Sequence, residues 1–143
     1  MRTFQGLLKV LPENGIYVFF SSIEGYHTKG TSKIAYENFD AIWGKAFHSM
    51  GRSFGICIKF KLTPRIEESF MRTQIDNLYH IARRDKDKLF YIMYNGINTI
   101  GNYTPNDLVR VFKSKEIPDN LVFEEEFSKL LLGTKKIINE EEV

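Results

Sequence analysis

GIYVFFSSIEGYHTKGTSK, Gly15 to Lys33, is the stretch on which the reading of this chain turns. Its first part, Ile16 to Phe20, is apolar, aromatic and β-branched, the composition of a buried strand. The character then changes at once. Ser21, Ser22, Gly25, Thr28, Gly30, Thr31 and Ser32 make a small, polar, glycine-punctuated loop. From Thr31 the chain reads as helix, with Ile34, Ala35, Asn38 and Phe39 roughly on one face. A strand that runs through such a loop into a helix leaves backbone N–H groups free at the helix start, where phosphates bind. The loop is neither a Walker A sequence nor a GxGxxG fingerprint, so an ordinary βα turn is the competing reading.

Upstream, Met1 to Val10 alternates loosely, and Pro12-Glu13-Asn14-Gly15 is turn chemistry. A first strand is therefore expected to pair antiparallel with Ile16–Phe20. Downstream, the helix is expected to end near Gly44, before a polar segment, Lys45 to Ser53. Phe54 to Leu62 reads as a strand, with Ile56, Ile58 and Phe60 on one side and Lys59 and Lys61 on the other. Thr63-Pro64 opens the clearest helix, which runs to Arg84 on an apolar stripe of Ile66, Phe70, Leu78 and Ala82, flanked by Ile75 and Tyr79. Leu89 to Tyr94 is a continuous apolar run, the mark of a central strand covered on both faces. A second glycine and asparagine loop follows, Asn95 to Tyr103. Thr104 and Asp107 are spaced as a capping box ahead of Leu108, Val109, Val111 and Phe112. Pro118 to Phe123 reads as a short edge strand and Glu124 to Leu132 as a short helix, with Gly133 just past its end. Strands alternate with helices, so the class is α/β or α+β with a mixed sheet, and α/β is the expectation. One domain over residues 1–134 is expected, with a frayed tail over 135–143.

Composition narrows the function classes. Of 143 residues, 43% are hydrophobic and 27% charged, ordinary for a soluble globular protein. A net charge of +2 provides no basic field for nucleic acid. No run has the length of a membrane span and no secretory signal is recognised, so no membrane partner and a cytoplasmic location are expected. The single Cys57 excludes an internal disulfide framework and suits a reducing compartment. His27, His48 and Cys57 are too scattered for a zinc pattern, so neither metal nor cofactor is expected. His80 reads as a surface or half-buried helix residue. Gly51-Arg52-Ser53-Phe54-Gly55 matches the G-x-S-x-G pattern of hydrolases. That motif needs a strand before the serine and a helix after it, and here the order is reversed. The twelve Phe and seven Tyr suggest a core built from rings, with Trp43 and Phe47 read as packing residues ahead of base-stacking ones.

The two loops matter together. Each follows an apolar strand and precedes a helix, which puts both at the carboxyl edge of a sheet, where ligands bind. Loops rich in Gly, Ser, Asn and Thr with few carboxylates suit a phosphate-bearing ligand.

The order of these segments resembles a family of small macro-domain-like proteins of phages and bacteria, linked to macro domains that process ADP-ribose phosphate. The resemblance rests on VFFSSIEGYHTKGTSK, with Val18, Phe19, Ser21, Gly25, His27, Lys29 and Gly30 in register. FDAIWG (Phe39 to Gly44), KAFHSMGRSFGICIK, FYIMYNGINTIGNYTPNDLVRVF and IPDNLVFEEEF follow in the family's order. It covers about Ile16 to Phe127, and it rests on spacing and order more than on identities. It implies a three-layer arrangement, a mixed sheet flanked by helices, and binding of an ADP-ribose-type or related NAD-derived nucleotide.

Departures from the family pattern bear on chemistry. Phe20-Ser21-Ser22 stands where the family has Gly-Ser-Asn, and the missing Asn is the side chain expected near the distal ribose. Ala46, Phe47 and Ser49 partly replace the glycines of the middle connection. Asn98, Thr99 and Asn102 stand near positions often held by Gly or Cys. Larger side chains restrict backbone approach to a phosphate.

The resemblance assigns the phosphates to backbone N–H groups of Ser21–Gly30 and Asn95–Tyr103. The candidate ligand residues are Ser21, Ser22, His27, Lys29, Gly30, Phe47, Gly51, Arg52, Asn95, Gly96, Asn98, Thr99, Gly101, Asn102 and Tyr103. His27, Lys29 and Arg52 would supply charge or hydrogen bonds, and Tyr103 or Phe47 an apolar wall. Hydrolysis of a terminal phosphate or an ADP-ribosyl bond would need a water positioned by Ser22, Asn98 or His27, and no carboxylate stands out as a base. Binding therefore ranks above catalysis, and sequestering an NAD-derived immune signal, a phage anti-defence role, satisfies the same features. The alternatives are a protein-interaction module on a degenerate macro-like scaffold and, on Ser53 alone, an esterase.

Overall fold

The computed structural model describes residues 2–6, 8–22, 30–59, 66–94 and 103–133. The elements are β1 (Arg2–Phe4), β2 (Gly15–Ser22), α1 (Gly30–Asn38), β3 (His48–Met50) and β4 (Ser53–Lys59). They continue with α2 (Glu68–Arg84), β5 (Leu89–Ile92), α3 (Pro105–Phe112), β6 (Leu121–Glu124) and α4 (Glu125–Gly133). The six strands form one mixed sheet in the order β1-β6-β5-β2-β4-β3. Five run parallel, and β3 alone runs antiparallel, against β4.

Alternation along β2 sorts the core into two layers. Ile16 and Val18 point to one face, with Ile56, Ile58, Phe90, Ile92, Leu121 and Phe123, and are covered by α2, α3 and α4. Tyr17 and Phe19 point to the other, with Met93 and Tyr91, and are covered by α1 and the segment around Phe39. The fold is thus α/β, a six-stranded mixed sheet between helices, and the expected placement of β2, β4 and β5 in one sheet under α2 holds. β5 is central, between β6 and β2, which is why its run is apolar without a polar alternate.

Several expectations are corrected. β1 does not form a hairpin with β2. It pairs in parallel with β6, Arg2 opposite Val122 and Phe4 opposite Glu124. β6 is therefore an interior strand, buried along its whole length, with β1 as the edge. α1 stops at Asn38, short of Gly44. Asp40 turns left-handed (φ 66°) and the Ala41 N–H reaches back to the Ala35 carbonyl at 3.2 Å, which closes the helix end. The segment read as polar connection contains β3. α2 starts at Glu68 after Glu67 at the cap position. Thr63 and Pro64 lie outside the described residues, as do Phe60 to Leu62 and the tail from 134. Gly133 is the last residue of α4. The capping box is present: Thr104 Oγ1 accepts from the Asp107 N–H at 3.1 Å and Asp107 Oδ2 from the Thr104 N–H at 3.0 Å.

Two buried amides join sheet and helix. β3 reaches only as far as Gly55 along β4, so beyond it the outer margin of β4 would be unpaired. There Gln74 of α2 takes the place of a strand: its Nε2 donates to Cys57 O and its Oε1 accepts from Cys57 N, both at 2.7 Å. Asn120, just before β6, donates to Ala82 O at 2.9 Å and Lys88 O at 3.0 Å, holding the end of α2 against the start of β5. Gln74→Leu keeps the volume but orphans a buried N–H and carbonyl, so it is expected to lower stability by about 1–3 kcal/mol. Urea unfolding measures this, and an unchanged midpoint would show that Gln74 does not close the margin.

Candidate functional site at the carboxyl edge of the sheet

The parallel pairing of β2 with β5 sets Ile16 opposite Phe90, Tyr17 opposite Tyr91 and Val18 opposite Ile92, and the Met93 N–H continues it to Val18 O at 3.0 Å. The carboxyl ends of these neighbouring strands therefore lie side by side. From β2 the chain passes to α1, on one face of the sheet; from β5 it passes to α3, on the opposite face. Adjacent parallel strands whose connections depart to opposite faces leave a crevice at their carboxyl ends. A bulge lies at its rim: Ser21 stands opposite Cys57, but Ser22 opposite Lys59, so β4 carries one extra residue there.

Of the candidate ligand residues, Ser21, Ser22 and Gly30 frame this crevice, at the end of β2 and the start of α1. Tyr103 lies at the end of the second loop. It is fully buried in the α2–α3 core, and its hydroxyl donates to Ile66 O at 2.6 Å. It thus fastens the start of α3 to the start of α2 and offers no open wall. Phe47 is half-buried and packs edge-on against Phe70 of α2, ring centroids 5.7 Å apart, on the far side of β4 from the crevice. His27, Lys29, Asn95, Gly96, Asn98, Thr99, Gly101 and Asn102 lie outside the described residues.

Gly51 and Arg52 lie at the other edge of the sheet. They form the turn between β3 and β4, at the amino end of β4, where Ser53 stands opposite Tyr17. At the rise of an extended strand that is roughly 17 Å from Ser22. Arg52 Nη2 donates to Pro12 O at 3.0 Å, its amide donates to Asp40 Oδ2 at 3.2 Å, and its guanidinium lies 5.3 Å from the Phe39 ring centre. It laces the amino edge together. Gly51 is required by that turn, with φ 58° and a notional Cβ 2.6 Å from Asp40 Cβ. Ser53 is buried at the start of β4 and its hydroxyl donates to Met50 O at 3.0 Å, so it is no nucleophile elbow. A fluorophosphonate probe is expected to leave Ser53 unlabelled; a covalent adduct on it would reverse that reading. Trp43, read as core, is 47% exposed and stands edge-on to Tyr36.

Sequence reasoning missed two residues at the carboxyl edge. Glu124 ends β6, buried, and its Oε1 accepts from the N–H groups of Glu126 at 2.8 Å and Phe127 at 3.3 Å. The sequence alone reads it as the first residue of the helix it caps. Tyr94, just past β5, stacks on Phe127 at 5.1 Å, and burial first, then Glu124 and Glu126, push its hydroxyl up. At the start of α2, Glu68 takes Arg110 of α3 at 2.6 Å and Arg72 at 2.6 Å. Hydrogen bonds from Arg110, then Arg72, hold its carboxyl at about 2 against an ordinary 4.5. A carboxyl lowered in this way contributes stability that is fully present above 4.5 and lost as pH falls toward 2. Glu68→Gln is therefore expected to flatten the fall in melting temperature across that window, and curves that stay parallel would contradict the coupling.

Among the described residues no three His, Cys, Asp or Glu side chains gather as a metal site, and no helix is long and apolar enough to cross a membrane. Comparison of the chain with protein-family models, with curated proteins and with solved structures finds no match.

Proposed function

We propose that the crevice between the β2–α1 and β5–α3 connections binds an ADP-ribose-type or related NAD-derived nucleotide. The observation that carries this reading is the side-by-side exit of β2 and β5 to opposite faces of the sheet, the position at which open α/β sheets take their ligands. The ends of the two helices are not equivalent. The first turn of α1 holds no acidic residue and begins with Gly30, so the positive end of its dipole suits a pyrophosphate. The first turn of α3 is already occupied by its own capping box and carries Asp107, so that side suits the uncharged part of the ligand. Binding ranks above catalysis. Glu124, the buried carboxylate at this edge, is committed to the amides of α4, and Ser22 stands where the resembled family carries its ribose-facing Asn. Sequestration of an NAD-derived signal in a phage setting rests on the resemblance and is part of the same proposal.

A second reading, a protein-interaction module, is favoured by one observation: Tyr36, Ile42 and Trp43 are about half exposed and adjoin on the α1 side.

A thermal-shift panel of ADP-ribose, its phosphates, NAD, cyclic nucleotides and adenosine separates the two. A ligand of the folded state at a hundredfold excess over its dissociation constant contributes about 2.7 kcal/mol, so ADP-ribose is expected to raise the melting temperature and adenosine much less. Gly30→Val is expected to abolish the shift by blocking backbone approach. Arg52→Ala, at the opposite edge, is expected to lower stability and leave the ligand-induced shift intact. No shift with any nucleotide, confirmed by calorimetry, would replace this reading with the interaction module.

A further inference from the structure

A cavity of about 390 Å³ lies at the amino edge of the sheet, away from the proposed nucleotide crevice. Separate parts of the chain converge on it: Arg2 from the start of β1, Arg83 and Lys86 from the end of α2, and the segment that joins α3 to β6. Its size falls within the range of small-molecule sites.

The cations here differ from three paired arginines elsewhere on the molecule. Arg72 and Arg110 are taken up by Glu68, and Arg84 by Asp85. Arg2 and Lys86 form no ion pair within 4 Å among the described residues, although Glu116 and Asp119 also line the cavity. Arg83 is set in place: its Nη2 donates to Glu116 O at 2.5 Å and its guanidinium lies 5.8 Å from the Tyr79 ring centre. That leaves other donors of its planar fork unspent. Three cations against two carboxylates leave a positive balance, with Ile117 and Pro118 as an apolar side. An adjoining hollow shares Arg2, Ile117, Pro118 and Asp119 and adds Leu121 and Phe123, which extends the apolar part.

We propose that this cavity binds a phosphate monoester with an apolar body, its phosphate held by Arg2, Arg83 and Lys86 and its body laid on Ile117 and Pro118. Guanidinium and ammonium donors suit a dianionic phosphate, and the apolar floor favours an ester over the free ion. This inference does not rest on the nucleotide reading, since it concerns the other edge of the sheet.

Amide NMR of the full chain, titrated with phenyl phosphate, tests it. Saturable shifts are expected in residues 116–120 and at the end of α2. Inorganic phosphate and benzyl alcohol, each carrying half of the recognised chemistry, are expected to bind more weakly. Arg2→Gln with Lys86→Gln removes two exposed, unpaired cations without touching the core, and is expected to weaken phenyl phosphate about tenfold or more. No saturable shift, equal affinity in the double variant, or shifts confined to the carboxyl edge would each overturn the proposal.

Discussion

The parallel pairing of β2 with β5 is the contact on which the rest of this fold depends. Both strands are apolar on both sides, and burying each large side chain is worth about 1.5–3 kcal/mol. The pair is therefore stable only under cover on both faces. α1 supplies one cover and α2, α3 and α4 the other, and that division sends the chain from adjacent strand ends to opposite faces. The departure of the chain to opposite faces is a consequence of how the core is closed.

The margins of the sheet are closed by polar side chains. Gln74 pairs the part of β4 that β3 does not reach, Asn120 holds α2 to β5, and Arg52 joins the turn before β2 to the turn before β4. Two polar atoms in the amino-edge group, the Tyr17 hydroxyl and Arg52 Nε, are buried with no hydrogen-bond partner among the described residues. Tyr17 is nonetheless held by its stack on Phe39, ring centres 4.6 Å apart. The aromatic richness of the chain is spent largely in this way. Rings fill the spaces between layers, and the Tyr79 and Tyr103 hydroxyls donate to backbone carbonyls of neighbouring elements.

Local signals in the sequence were sound where they depended on neighbours in the chain. The apolar runs of β2, β4 and β5, the stripe of α2 and the capping box of α3 all carry their structure within a few residues. Long-range pairing does not. Pro12 to Gly15 reads as a hairpin turn, yet β1 finds its partner in β6, some 120 residues away, a pairing that no local signal encodes. The position of Arg52 was likewise hidden: nothing near a Gly-Arg-Ser sequence tells which end of a strand it occupies until the register with β2 is known. Glu124 was misread because an acid before a helix looks the same whether it begins the helix or caps it. That β2 and β5 are each followed by a helix could be anticipated from the strand–loop–helix pattern, though their adjacency could not.

The central claim is that the β2–α1 and β5–α3 connections form one site. Hydrogen–deuterium exchange on the full chain, with and without saturating ADP-ribose, tests it most directly. The account predicts that peptides spanning Ser21–Lys33 and Ile92–Asp107 slow together, at the same ligand concentration, while the turn around Gly51 is unaffected. Slowing of only one of the two, or of neither, would contradict it.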